Sequence, residues 1–304
     1  METIGFVGLG QMGSRMAARL IGSAFDVVAF DVDPDALAAL QRRGARPARS
    51  AREVADQAAV VLCSLPRPEV VEQVILGPDG VIEGSEVEVV VDLSTTGPTK
   101  LCEIAAVLAA KGIELVDAPV SGGVGVAEAG TLTLMVAGSP EARERVAPCL
   151  NALGSAVFTI GDEPGLGQKM KLVNNMLCAA NAVAAFEALV MGVKGGLDAA
   201  TMLAVINASS GRSFITTDKV PQCVMPRTFP PRFATELLLK DMRLGVDEAR
   251  AIGAPLRMMT EACDFIGEAM AEGDPKADYA SLIAYFERRA GVEVGASAIG
   301  DIHQ

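Results

Sequence analysis

The residues best suited to chemistry in this 304-residue chain stand together in Gly165-Leu-Gly-Gln-Lys-Met-Lys171-Leu-Val-Asn174-Asn175. Lys171 and Asn175 occupy positions i and i+4, so on a helix both project from one face. Ala179, Ala182 and Phe186 continue that face, and all three are small or apolar. A lysine near the N-terminal end of a largely apolar helix meets desolvation and the positive end of the helix dipole, and both disfavour its charged form. Such an amine can take or give a proton near neutral pH. The plainer reading is a lysine whose stem lies along a buried helix while its head reaches solvent.

Two further clusters could hold ligands. Ser121-Gly122-Gly123 offers a hydroxyl and backbone N–H groups unshielded by side chains, a combination suited to a carboxylate. Gly8-Leu9-Gly10-Gln11-Met12-Gly13 follows an apolar strand at 4–7 and opens a helix at 14–21. In that context Gly8 allows a tight turn, Gly10 lets a pyrophosphate approach the backbone, and Gly13 lets helix and strand pack closely. The helix N-terminus adds N–H donors and positive potential for phosphates. A second strand at 26–30 ends in Asp31, about 20 residues on from the glycines, where a carboxylate accepts from the ribose hydroxyls. That carboxylate would repel a 2′-phosphate, so NAD is expected over NADP.

Composition removes several alternatives. The only histidine is His303, which argues against a histidine dyad, a triad or a histidine-ligated metal. No metal site is expected. Cysteines 63, 102, 149, 178, 223 and 263 are scattered without a Cys-x-x-Cys and read as buried free thiols in a reducing cytoplasm. A formal charge of −12 without a basic block argues against nucleic acid and anionic membrane as partners. Glu2 precedes a short apolar run with no basic n-region, so no signal peptide is expected. The apolar run at 172–193 is interrupted by Asn174, Asn175, Asn181 and Glu187, which favours a buried helix over a membrane span.

These residues need elements to position them. Apolar strand patterns at 4–7, 26–30, 59–64, 87–92, 114–117, 132–137 and 156–160 alternate with helical stretches, including 69–76, 98–111 and one from Glu141. Ser50-Ala-Arg-Glu53 reads as a capping box. The alternation predicts a doubly wound parallel sheet, a Rossmann domain over residues 1–163. Ligands of such sheets bind beyond the carboxyl ends of the strands, where 64–66, 94–96 and 121–123 should ring one crevice with the glycine loop. From 164 to 304 an all-α domain is expected, joined by the long helix at about 166–193, with further helices at 198–208, 233–252, 256–272 and 277–289. Segments 209–213 and proline-rich 221–232 read as loops, and the last dozen residues as a loose tail.

The glycine loop, Asp117-Ala-Pro-Val-Ser-Gly-Gly123 and Gly165-x-Gly-x-x-x-Lys171-x-x-Asn-Asn175, taken in this order, resemble the β-hydroxyacid dehydrogenases. That group includes 3-hydroxyisobutyrate dehydrogenase, tartronate semialdehyde reductase and, more distantly, 6-phosphogluconate dehydrogenase. Leu65-Pro66, Ser94-Thr95, Ser209-Ser-Gly-Arg212 and Leu239-Lys240-Asp241 extend the match over nearly the whole chain. The resemblance implies reversible oxidation of a small β-hydroxyacid with Lys171 as general acid/base. Asn175 and Asn174 would orient the substrate, and Ser121, Gly122 and Gly123 would hold its carboxylate. Thr95 and Leu65 would line the nicotinamide side, with Pro66 beside them, and Lys240, with Phe233 nearby, would close over the cofactor. It further implies a homodimer or homotetramer. Three rivals stay open: a non-catalytic dinucleotide-binding scaffold, an imine reductase, and a decarboxylating sugar-acid dehydrogenase. The last would need cations near the substrate, for which only Arg212, Lys240 and Arg227 are candidates.

Overall fold

Strands of alternating residues with both faces apolar need cover on both sides, and the N-terminal half supplies it. In the computed structural model, which describes residues 1–23 and 25–295, the chain divides into two compact units, Met1–Leu172 and Val173–Gln304. The first begins β1 (Thr3–Val7), α1 (Gly13–Gly22), β2 (Asp26–Phe30), α2 (Pro34–Gln41), β3 (Arg46–Pro47), α3 (Ala51–Ala55) and β4 (Val60–Cys63). There follow α4 (Pro68–Leu76), β5 (Val89–Asp92), α5 (Pro98–Ala109), β6 (Glu114–Asp117) and β7 (Val120–Ser121). The unit continues with α6 (Gly123–Ala129), β8 (Leu132–Ala137), α7 (Pro140–Leu153), β9 (Gly154–Gly161) and the start of α8 (Leu166–Lys194).

The sheet order is β3-β2-β1-β4-β5-β6-β8-β7, with β9 beside β8. Strand periodicity explains the two cores. Ile4, Phe6, Leu62 and Val91 face α1 and α7 with Met16, Leu20, Val146 and Leu150. Val7, Val61, Cys63 and Val90 face the other way, onto Ile75, Leu101, Ile104 and Leu108 of α4 and α5. Each such buried side chain stabilises the fold by roughly 1.5–3 kcal/mol.

Two local expectations are corrected. The sheet is parallel from β3 to β6, but β8 runs antiparallel to β6 and β7. The link from Ser121 to Leu132 is shorter than the dozen or more residues that a parallel crossover needs. The Ser121-Gly122-Gly123 segment, read as offering open backbone N–H groups, leads straight into α6, which begins at Gly123. At Ser50 the hydroxyl caps Glu53 N at 3.1 Å, but Glu53 reaches back to Arg49 N at 2.8 Å, not to the capping residue itself.

The second unit holds the rest of α8, then α9 (Ala199–Asn207), α10 (Thr235–Ala251), α11 (Arg257–Ala271) and α12 (Ile283–Ala290). Met176, Ala179, Val183, Phe186 and Val190 recur at helical spacing along α8 and form its core with Leu238, Met242 and Ile266. By length and composition α8 could cross a membrane, with a mean hydropathy of 1.8, yet this face is packed inside the unit. Part of the expected 221–232 loop is helical instead. Ile215–Val224 is a π-helix containing Pro221, whose wider turns tolerate a residue that would break an α-helix. The expected helix at 277–289 is a 3-10 turn, Tyr279–Leu282, followed by α12. His303 and most of the expected tail lie outside the described residues.

Candidate active site

The glycine loop has the shape its sequence implied. Gly8 has φ +93°, and a Cβ there would lie 2.3 Å from Ser64 O. At Gly13 a Cβ would lie 1.9 Å from Gly8 O, so helix and strand pack with no room for a side chain. A Cβ on Gly10 would meet nothing within 4 Å. Crowding at the outer glycines and open space at the middle one fit a backbone awaiting a pyrophosphate. Asp31, at the end of β2, accepts from Leu9 N at 2.5 Å through one oxygen and from Asp33 N at 2.8 Å through the other. Each carboxylate oxygen has a second lone pair, so both can still accept a ribose hydroxyl. The residues present therefore fit an adenine dinucleotide, and Asp31 has the added task of holding the loop.

The other segments meet the same edge of the sheet. Ser64 N donates to Val7 O at 2.9 Å, which seats 64–66 beside the glycine loop. Leu65 N donates to Ser94 Oγ at 2.9 Å, joining 64–66 to 94–97. Pro66 is exposed and Thr95 is half-buried. Lys171 Nζ donates to Val120 O at 2.8 Å, one residue before Ser121. The residue is buried, with only 8% of its surface exposed. The crevice segments and the lysine are thus assembled within the first unit.

A buried polar cluster that the sequence reading missed binds them. Asp117 Oδ2 accepts from Gly165 N and Gln168 N, each at 2.9 Å, and so caps the start of α8 from a neighbouring strand. Gln168 Nε2 donates to Asp117 Oδ1 and Ser94 O, both at 3.0 Å. Its Oε1 accepts from Thr96 N at 2.9 Å and Gly97 N at 3.1 Å. Thr96 Oγ1 and Ser94 N both donate to Asp92. Burial pushes the Asp117 carboxyl up to about 7, against the pull of the donors from Gln168 and Gly165. The available signal was Gln168 three positions before Lys171, hence on its face of the helix.

In the second unit, Asn175 Nδ2 donates to Asp241 Oδ2 at 2.6 Å, and Asn174 Nδ2 donates to Asn175 Oδ1 at 3.2 Å. Lys240 Nζ lies 3.0 Å from Asp241 Oδ1, so the Lys240-Asp241 pair is joined to the asparagines. Phe233 packs edge-on against Tyr279, with ring centroids 6.2 Å apart. Arg227 is engaged elsewhere: its guanidinium makes a two-pronged pair with Glu287 at 2.7 and 3.0 Å and donates to Val294 O. That removes one of the three candidate cations for a phosphorylated sugar acid. Of the six cysteines expected to be buried, Cys102 is exposed and Cys178 half-buried; none of the six forms a disulfide.

Comparison with known proteins gives consistent matches. The family model described as the NAD binding domain of 6-phosphogluconate dehydrogenase matches residues 3–161. The model described as NAD-binding of NADP-dependent 3-hydroxyisobutyrate dehydrogenase matches residues 165–286. A 2-(hydroxymethyl)glutarate dehydrogenase from Eubacterium barkeri is 38% identical over 96% of this chain and 97% of its own. An NAD-dependent L-serine dehydrogenase from Pseudomonas aeruginosa is 33% identical over 96% of this chain and 100% of its own. Among solved structures, Mycobacterium tuberculosis 3-hydroxyisobutyrate dehydrogenase with L-serine aligns with a TM-score of 0.85 at 33% identity, over 94% of this chain and 99% of the other.

Proposed function

We propose, from the premise that the chain belongs to the 3-hydroxyisobutyrate dehydrogenase family, that Lys171 is its general acid/base and that Ser121, Gly122 and Gly123 hold the substrate carboxylate. The chain is an NAD-dependent oxidoreductase acting on the hydroxyl of a small hydroxyacid. Bound NAD supplies the acceptor for the hydride. The substrate carboxylate docks on the Ser121 hydroxyl and the glycine amides, and the β-hydroxyl hydrogen-bonds to Lys171. Neutral Lys171 takes the hydroxyl proton as the carbinol C–H bond breaks and the carbonyl forms. In reverse it protonates the developing alkoxide of a semialdehyde. Asn175 and Asn174 orient the substrate.

The observation that carries this reading is the Lys171–Val120 hydrogen bond, which holds a buried amine beside Ser121. Gly8, Leu9, Gly10, Gln11, Met12 and Gly13 cradle the pyrophosphate, Asp31 takes the ribose hydroxyls, and Leu65, Pro66 and Thr95 line the nicotinamide side. Phe233 and Lys240 complete the cofactor contacts. The domains run 1–163 for NAD and 164–304 for substrate and assembly. The protein works as a homodimer or homotetramer, a reading supported by the exposed apolar row Val173, Leu177, Ala184, Ala188 and Met191 on α8. Six cysteines without a disulfide favour the reducing cytoplasm.

A thermal-shift panel of small β-hydroxyacids with NAD present, followed by NAD reduction assays on the hits, tests the reading. Carboxylate-bearing β-hydroxyacids should raise the melting point by several degrees, since ligand at about 100 times Kd adds about 2.7 kcal/mol. If NAD stabilises the protein but no β-hydroxyacid adds to it or is oxidised, the scaffold reading replaces this one.

A further inference from the structure

Gln168 is wholly buried, and its amide makes four hydrogen bonds, which uses both N–H donors and both acceptor lone pairs of the oxygen. Those bonds reach two segments that are otherwise distant in sequence. One is 94–97, which carries Thr95 on the proposed nicotinamide side. The other is Asp117, at the head of the segment that runs through Val120 to Ser121. Gln168 itself lies one helical turn ahead of Lys171, and Asp117 fixes the same turn by accepting from Gly165 N and Gln168 N.

The first turns of α8 are therefore pinned at three places: to Asp117, to Val120 through the Lys171 amine, and to 94–97 through Gln168. The helix is pressed close enough that a Cβ on Gly167 would stand 2.4 Å from Met135 O and 2.9 Å from Asp117 Oδ2. Helix and strands leave no slack there. Gln168 is the side chain that touches both the cofactor-lining segment and the carboxylate that anchors the helix. A charged residue in its place would lack either donors or acceptors, and a shorter one would leave Thr96 N and Gly97 N unsatisfied in a buried site.

We propose that Gln168 is a positioning residue for hydride and proton transfer, setting the spacing between segment 94–97 and the Lys171 amine. The proposal rests on the assignment of Lys171 as general acid/base. It needs no contact between Gln168 and the substrate. Misplacement of reacting groups by about 1 Å costs up to about 10²-fold in rate, so a loosened Gln168 should act on turnover more than on affinity.

The test uses the whole chain in five forms: wild type, Gln168→Met, Gln168→Glu, Lys171→Met and Glu287→Gln. Glu287→Gln, which weakens the Arg227 pairing in the second unit, serves as a stability control. Gln168→Met keeps the side-chain length and removes all four bonds. Gln168→Glu keeps the acceptor for Thr96 N and Gly97 N and loses both donations, and it serves as the measured variant if the methionine form does not fold. Amide hydrogen exchange without cofactor should quicken at Thr96 and Gly97 in Gln168→Met, which leaves them no acceptor, and at Gly165 in both Gln168 variants, which lose the donation to Asp117. With NAD and a hydroxyacid that the wild type oxidises, kcat should fall roughly 10–100-fold while KM and the NAD Kd stay within a few-fold. The Glu287→Gln control should lose stability and keep kcat. Wild-type kcat in both Gln168 variants, alongside an inactive Lys171→Met, would overturn the positioning role alone. An active Lys171→Met would instead overturn the assignment on which it rests.

Discussion

The Lys171 amine donates to the carbonyl of Val120 at 2.8 Å, in the segment that leads directly into Ser121, Gly122 and Gly123. A backbone carbonyl accepts from either protonation state of an amine, so the bond fixes position and is compatible with the proposed acid–base role. Lys171→Met keeps the stem and removes that chemistry. Turnover should fall by ~10²–10⁴, the usual worth of positioned proton transfer, while the NAD Kd stays within a few-fold. Lys171→Arg is the sharper variant, because a guanidinium donates the same hydrogen bond and does not deprotonate. It should be nearly as slow as the methionine form in single-turnover assays. An arginine variant with near wild-type turnover would show that no proton passes through this residue.

The bond from Asn175 Nδ2 to Asp241 Oδ2, at 2.6 Å, gives the second unit its own testable constraint. Asp241 is buried and also meets the Lys240 amine at 3.0 Å. Asp241→Ala frees the Asn175 amide to rotate, and a charge-assisted bond of this kind is worth ~1.5–3 kcal/mol. Substrate KM should rise roughly tenfold or more, by the usual conversion of free energy to affinity. Asp241→Asn retains an acceptor oxygen and should stay close to wild type. Steady-state kinetics on both variants decide it, and equal KM values for alanine and wild type would remove Asn175 orientation from the account.

The sequence made the motif-bearing segments legible because each demands a residue type that nothing else explains. Gly8 and Gly13 sit where a Cβ would collide with backbone, and strand alternation alone separates Phe6 from Val7 onto opposite cores. What stayed hidden was pairing over distance. Nothing local says that Gln168 completes its bonds at Ser94, Thr96, Gly97 and Asp117, far back in the chain. Asp117 looked like part of a substrate motif and turns out to cap a helix. Pro221 looked like a loop marker, yet the π-helix absorbs it. Arg227 looked available, and only the fold reveals that Glu287 holds it.

The proposed ribose contact places cofactor choice on Asp31, whose two oxygens accept from Leu9 N and Asp33 N. Asp31→Ala removes both the proposed ribose acceptor and the charge proposed to repel a 2′-phosphate. The ratio of kcat/KM for NADP to that for NAD should rise by roughly tenfold or more, matching loss of a charge-assisted hydrogen bond of ~1.5–3 kcal/mol. Both absolute values should drop, because the glycine loop loses its anchor. Kinetics with each cofactor at fixed hydroxyacid measure the ratio. An unchanged ratio would place the ribose elsewhere.

Stability should carry a pH signature from Asp117. Burial raises this carboxyl from its ordinary 3.8 to about 7 in the folded protein, with Asp92 pushing the same way and hydrogen bonds from Gln168 and Gly165 opposing. The folded state therefore binds the extra proton between those two values. The resulting contribution is fully present below the unfolded value near 3.8 and is lost as pH rises through about 7. Asp117→Asn cannot titrate. The stability advantage of wild type over this variant should shrink as pH goes from 5 to 8, as read from denaturant midpoints. An advantage that grows over that range would mean the carboxylate is ionised throughout and its hydrogen bonds outweigh burial.

Lys219 and Asp278 form an ion pair at 2.7 Å with side chains only 6% and 0% exposed, and it ties the π-helix to the turn before α12. Asp278 also accepts from Arg232 N, Phe233 N and Ala280 N, each at 3.0 Å, while the lysine amine sits 4.4 Å from the Tyr279 ring centre. Removing one partner of a buried pair usually costs ~3–5 kcal/mol, because the other charge stays behind unpaired. Here three backbone donors remain on Asp278, so Lys219→Met should fall near the lower figure, about 3 kcal/mol. The matching fall in melting temperature is roughly 6–12 °C. The double variant Lys219→Met/Asp278→Asn should recover part of that loss, giving a coupling energy from the cycle. Additive single effects would mean that the backbone donors alone hold Asp278, and that Phe233 keeps its place without the lysine.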